Sequence, residues 1–218
     1  MIPRDILAGN PERTAPTLSP DGTRLAWLAP DKNDVLQVWI KTIGQTDDQM
    51  VTTEKKRGIQ TYYWANDNRT LLYLQDHDGD ENFHLLGADL LSGHHRDFTP
   101  FDGTRVSAVI LNPDFPDVVL VCLNARDRTV FDVHRLDLQK GQLTLDTQNP
   151  GDVSDWITDA QFRVRGACAL RPDAGKEVRL RGDNQSSWKT FLQAGPEEIL
   201  EALDFTADGQ SLIDSKVK

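Results

Sequence analysis

The densest set of reactive side chains in this 218-residue sequence is the run DHDGDEN at 76–82. Asp76, Asp78 and Asp80 alternate as D-x-D-x-D, a spacing that lets successive carboxylates converge on one hard cation such as calcium. The remainder of a calcium loop is missing: the twelfth position is Gly87 rather than a bidentate glutamate, and no helical pattern flanks the run. The competing reading is a structural turn whose Asp and Asn side chains cap backbone amides, and it is preferred. No metal site is assigned; Asp76, Asp78 and Asp80 stand only as a candidate loop.

Nucleophilic chemistry finds less support. A catalytic serine of the G-x-S-x-G type needs a strand–turn–helix setting, and no such motif occurs. Ser92 precedes Gly93 but follows DLL, at what reads as a hairpin bend. No catalytic residue and no cofactor is assigned, so this chain alone is expected to be inactive. His77, His84, His94, His95 and His134 are scattered. Neighbours such as His94 and His95 point to opposite faces of a strand, while His84 and His134 are expected to pack between units. Trp27, Trp39, Trp64, Trp156 and Trp188 fall in strand-like runs and are expected in the core. Cys122 and Cys168 lie 46 apart in the apolar runs VVLVCLN and GACAL, which predicts free thiols at equivalent places.

The elements that must position these side chains are strands. LSPDGTRLAWLAP (18–30) reads as two strands joined by Pro20-Asp21-Gly22, where Pro presets φ and Gly accepts a positive value. Weaker copies follow at 64–75, 111–123 and 205–213. Their turn aspartates, Asp21, Asp67, Asp114 and Asp208, are spaced by 46, 47 and 94, the last being twice 47. One turn of the series is therefore replaced, and Asp159-Ala160-Gln161 is where it should fall. Gly93 and Gly141, 48 apart, mark a second series of bends in the same register.

Four strands per period of about 46 residues predict an all-β fold, a partial β-propeller of four-stranded antiparallel blades, about four and a half in number. The blades are placed at approximately 14–54, 58–100, 104–148, 152–195 and 198–218, after an N-terminal extension at 1–13. Helical periodicity is nearly absent; IPRDILAG could make a turn or two.

Charge narrows the classes of partner. Lys and Arg number 24 against 34 Asp and Glu, a net charge of −10, which repels phosphate backbones and argues against nucleic acid. EKKR at 54–57 reads as a solvated loop. The first residues lack an apolar signal segment, and no run approaches the ~20 apolar residues that cross a bilayer. A cytoplasmic protein without membrane contact is expected.

Several stretches also carry a resemblance. MIPRDILAGNPERTAPTLSPDGTRLAWLAP resembles the opening of bacterial serine peptidases of the prolyl oligopeptidase family, in the acylaminoacyl-peptidase and dipeptidyl-peptidase-like branch. LLYLQDHDGDENFHLLGADLLSG, DFTPF, HRLDLQKGQLTL and NPGDVSDWITDAQFRVRGA resemble the succeeding blades of that branch. The resemblance implies an N-terminal propeller that gates peptides and helps bind them, cut off before the α/β-hydrolase domain that bears the Ser-Asp-His triad. It implies as partners that missing hydrolase domain or the remaining blades, and a peptide substrate. Propeller acids in such relatives can face the peptide's amino end, which makes Glu81 and Asn82, in GDEN, the candidate substrate contacts. Two other readings remain: a TolB-like propeller that binds proteins without catalysis, and a truncated product. Open blade edges are expected to promote self-association.

Overall fold

Turn chemistry sets the strand pattern. The computed structural model describes residues 9–217. Gly22 donates its N–H to the Ser19 carbonyl at 2.8 Å and takes a φ of +70°. Asp21 Oδ1 accepts from the Ser19 hydroxyl at 2.6 Å and the Thr23 amide at 3.0 Å. This turn folds β1 (Thr14–Leu18) back onto β2 (Arg24–Pro30), which pairs in turn with β3 (Leu36–Thr42) and the short β4 (Gln49–Met50).

Among the described residues the pattern recurs and no helix occurs. The second sheet is β5 (Thr61–Trp64), β6 (Thr70–Gln75), β7 (His84–Asp89) and β8 (His95–Asp97). The third is β9 (Val106–Leu111), β10 (Val118–Leu123), β11 (Asp132–Asp137) and β12 (Gln142–Thr147). The fourth is β13 (Val153–Thr158), β14 (Val164–Leu170), β15 (Lys176–Leu180) and β16 (Lys189–Ala194). A final pair joins β17 (Ile199–Phe205) to β18 (Leu212–Val217). Within each sheet the strands lie in chain order. This is the expected class: a partial propeller of four-stranded antiparallel blades.

The left-handed residue, more than the aspartate, carries the repeat. After Gly22 it returns at Asn68 (φ +55°), Phe162 (+56°) and Gly209 (+66°). The turn of the fourth blade exists without a Pro-Asp-Gly signature. Phe162 donates to the Asp159 carbonyl at 2.8 Å, and Asp159 Oδ1 accepts from the Gln161 and Arg163 amides, both at 3.0 Å. A left-handed Phe is strained, but this one is completely buried, so packing holds it there. In the third blade the cap is Asn112, whose Oδ1 accepts the Asp114 amide at 2.9 Å; Asp114 itself is the donor.

The chain divides into two compact units, residues 1–125 with 135–143 and residues 126–134 with 144–218. In the first, β6 shows why its sequence TLLYLQ is apolar nearly throughout. Leu71 and Tyr73 join a cluster with Ala26, Leu28, Val38 and Ile40 of the first blade. Leu72, on the opposite face, joins Val119, Val121 and Leu136 of the third. Strand side chains alternate, so both faces of the strand are covered. Each fully buried Leu is worth roughly 1.5–3 kcal/mol. Polar ties cross the same seams: the Asp21 amide donates to Asn68 Oδ1 at 2.9 Å, and the Arg96 guanidinium donates to the Lys140 and Gly141 carbonyls at 3.0 and 3.2 Å. Gly141 has a φ of +61°, which favours glycine, and the Arg96 guanidinium lies where a Cβ would stand.

In the second unit Cys168, Val178, Leu180, Leu192 and Ala194 pack against Leu200 and Leu212. Cys122 and Cys168 sit in the second strands of their sheets, the equivalent places expected from their spacing.

Two expectations need correction. Trp27 and Trp64 are core residues, whereas Trp39, Trp156 and Trp188 are half-buried. Trp188 precedes β16, because Asp183 Oδ1 caps the Gln185 and Ser186 amides at 2.9 and 2.8 Å and keeps that segment a loop. His84 pairs within its own sheet rather than packing between blades, with Nδ1 2.7 Å from Asp97 Oδ2. The turn of helix read in IPRDILAG lies, apart from Gly9, outside the described residues.

Candidate functional site

The loop between β6 and β7 is built around Asp76, whose side chain is fully buried. Its Oδ2 accepts from Arg57 Nη1 at 2.6 Å and from the Glu81 amide at 3.1 Å. Its Oδ1 is buried and has no hydrogen-bond partner among the described residues. Asp80 ties the loop to itself: Oδ1 accepts from the Asn82 amide at 3.0 Å and the His77 amide at 3.2 Å, and Oδ2 from Asn82 Nδ2 at 3.0 Å. Asp78 turns outward to Lys56 Nζ at 2.6 Å. The hydrogen bond from Lys56 pulls the Asp78 carboxyl below its ordinary range, and those from Asn82 do the same for Asp80.

The three aspartates therefore serve three different partners. Among the described residues no group of three or more His, Cys, Asp or Glu is placed to hold a metal ion. Glu81 is exposed with a φ of +60°, and its carboxylate makes no hydrogen bond among the described residues. Asn82 is half-buried and its side-chain amide is committed to Asp80. The structure thus sets Glu81 and Asn82 side by side on the loop but leaves only Glu81 with an unengaged charge. Ser92 occupies the β7–β8 bend, its hydroxyl accepting the His94 amide at 3.3 Å.

EKKR contributes what sequence reasoning missed. It is no free solvated loop: Arg57 holds Asp76, Lys56 holds Asp78, and Glu54 is half-buried. The available signal was the opposite charge of 54–57 and 76–82, two loops of adjoining blades.

Two cavities flank this assembly. One of about 250 Å³ is lined by Glu54, Arg57, Gln75, Asp76 and His77 among others. The other, about 160 Å³, is lined by Glu54, Asp76, His77, His84, Leu86 and Asp97. Burial pushes the Glu54 carboxyl up, against the opposing pull of His95 and a hydrogen bond from Gln75. Burial likewise pushes the Tyr73 phenol up, and the negative charges of Glu54 and Asp97 add to the shift. Tyr73 Oη lies 3.2 Å from His95 Nδ1. Such walls can bind and orient a cationic group; they hold no activated nucleophile.

The comparisons bear on what the loop serves. No family model matches the sequence. Dipeptidyl aminopeptidase BIII of Pseudoxanthomonas mexicana is 38% identical over 215 residues, covering 97% of this chain and 31% of the relative. Dipeptidyl peptidase family member 6 of Caenorhabditis elegans is 24% identical over 221 residues, covering 95% of this chain and 30% of its own length. The chain thus spans about a third of these curated relatives. Among solved structures, prolyl oligopeptidase B of Galerina marginata superposes with a TM-score of 0.61 at 14% identity, over 90% of this chain and 29% of that one. TolB of Acinetobacter baumannii gives 0.54 at 12% identity, over 94% and 54%. At these identities the structural matches speak for the fold alone.

Proposed function

The chain belongs to the prolyl oligopeptidase family of peptidases as part of its propeller portion, and from that premise we propose that it gates peptides and helps bind them for a serine peptidase. The supporting observation is the 38% identity with a dipeptidyl aminopeptidase, sustained over 97% of the chain. Bond cleavage is assigned to an α/β-hydrolase domain as partner, with a nucleophile and oxyanion hole that this chain does not carry. Glu81 is the proposed contact for the peptide's ammonium, through a charge-assisted hydrogen bond; Asn82 is proposed to stiffen the loop beside it. Replacing the matched third of the Pseudoxanthomonas relative with this chain tests the reading. The chimera should release dipeptides, and E81Q in it should raise KM with kcat nearly unchanged. A folded but inactive chimera overturns the reading, and an unmoved KM removes Glu81 from it.

We also propose a second reading, a TolB-like protein-binding module without catalysis, for which the TolB match over 94% of the chain supplies the fold alone. Capture of a protein partner by the chain, with an inactive chimera, would favour it. On either reading self-association is proposed. Among the described residues β18 pairs only with β17, and Ile199 and Ile213 are about half exposed. Sedimentation should show species larger than one chain; a monodisperse monomer would refute this.

A further inference from the structure

The second unit holds a larger cavity, about 850 Å³, walled by β14, the end of β15, the 182–187 loop and the start of β16. Arg165, Arg181, Ser187, Lys189, Thr190 and Phe191 are its telling residues, and its lining contains no carboxylate. In a chain of net charge −10 that is an unusual concentration of donors.

Arg181 is the anomaly. Only 8% of the residue is exposed. Its Nε donates to the Val164 carbonyl at 2.9 Å, Nη1 to the Asn184 carbonyl at 3.4 Å, and Nη2 to Asn184 Oδ1 at 3.1 Å and to the Thr147 hydroxyl. Every one of these acceptors is neutral. The guanidinium also lies 4.4 Å over the Trp188 ring. Asp146 is bridged to Arg181 by Thr147 and Asn184, which donate to it at 2.8 and 3.1 Å, and the charges of Asp146 and Asp183 act on the guanidinium from beyond contact distance. Asp183 caps Gln185 and Ser186 instead. Buried charges are ordinarily paired directly, and this one is not.

The neighbouring donors are only partly engaged, and Arg165 also lies 4.9 Å over the Phe205 ring. Arg165 donates from Nε to the Arg181 carbonyl at 3.2 Å and from Nη1 to the Gly209 carbonyl at 2.9 Å, with Asp159 3.6 Å away. Its Nη2, Lys189 Nζ and the Ser187 hydroxyl have no partner among the described residues. Phe191, 52% exposed, adds an apolar wall.

We propose that this cavity binds an oxyanion, a phosphoryl or carboxylate group carried on a small aromatic or apolar body, with Arg181, Arg165 and Lys189 as its counter-charges. Titration calorimetry on the 218-residue chain at fixed ionic strength tests this, with inorganic phosphate, phenyl phosphate and benzoate as probes and chloride as reference. Saturable one-to-one binding, tighter for phenyl phosphate than for inorganic phosphate, is expected; benzoate against phenyl phosphate tells which oxyanion the site takes. K189Q, at an exposed position, should weaken binding roughly tenfold. R181M should abolish it, with circular dichroism reporting whether that variant folds; K189Q keeps the test decisive if it does not. Absence of binding for all three probes at millimolar concentration, or wild-type affinity in K189Q, overturns the proposal.

Discussion

Arg57 and Arg181 both stand where a blade's strands give way to a loop, yet they meet opposite surroundings. Arg57, about a third exposed, faces a carboxylate that is wholly buried. Arg181 is itself buried and meets only carbonyl, amide and hydroxyl oxygens. In the second blade the charge is closed within the fold, and the loop it closes presents Glu81 outward. In the fourth blade the charge is solvated by protein dipoles beside the cavity for which an oxyanion is proposed. A shared strand scaffold therefore supports a locked acidic loop in one place and an open basic cavity in another.

The sharpest way to break this contrast is R57M. It leaves Asp76 buried with one N–H donor for Oδ2 and none for Oδ1. Losing one partner of a buried pair costs about 3–5 kcal/mol, and the partial exposure of Arg57 puts the expected loss near ~3 kcal/mol. D76N in the same chain should recover much of it, because the stranded charge is gone. Urea unfolding of the single and double variants checks both; a loss below ~1 kcal/mol for R57M would mean that Asp76 does not depend on Arg57.

R181M comes next. Charge-assisted hydrogen bonds worth about 1.5–3 kcal/mol each are lost, but the desolvation burden of a buried charge without a direct counter-ion, several kcal/mol, is lifted and offsets most of that loss. The expected net destabilisation is about 1 kcal/mol, well short of R57M. A larger loss than in R57M would mean that Asp146 neutralises Arg181 through Thr147 and Asn184, and the contrast would fail.

How far the sequence foretold these regions depends on the range of the forces involved. Turns and strand periods are local, so Pro20-Asp21-Gly22 and the spacing of its copies were enough to place the sheets. Even the fourth turn was expected at the right residues. Its means were not, since a left-handed Phe162 is held by burial. The loop 76–82 was legible as a polar cluster, but its organisation rests on Arg57, 19 residues from Asp76 in the chain. Nothing local announces that pairing. In EVRLRGD, alternation puts Arg179 and Arg181 on one face of a strand. Arg179 pairs directly with Asp152, just before β13, and with Glu177 of its own strand, while Arg181 meets Asp146 through Thr147 and Asn184, a difference that the local pattern does not announce.

Acid separates the two regions further. Burial raises the Glu54 carboxyl, so its ionised form is disfavoured in the fold. The resulting cost is fully present above the raised folded value and disappears as pH falls below the ordinary 4.5. In the fourth blade the bond from Arg179 lowers the Asp152 carboxyl, and Gln193 and Arg179 lower that of Glu177. Their stabilisation is present above the ordinary values of 3.8 and 4.5 and is lost as pH falls through the lower folded ones. E54Q should therefore gain over wild type at neutral pH, by less than the change in R181M, and the gain should vanish near pH 4.5. Urea midpoints across the pH range read this directly; a pH-independent difference would assign the effect of E54Q to packing.

The smallest expected effect is the most specific check on the second blade. Lys56 and Asp78 form a short ion pair, but their side chains are 74% and 55% exposed. Water and salt screen such a pair, and ordering two mobile side chains offsets what attraction remains. K56Q should leave the unfolding midpoint unchanged, although it removes a bond as short as the one that Arg57 makes. The difference between the two bonds then lies in the burial of Asp76, not in distance or charge. A measurable loss in K56Q would move the anchor of the loop from Asp76 to Asp78, and Glu81 would have to be regarded as held from the solvent side.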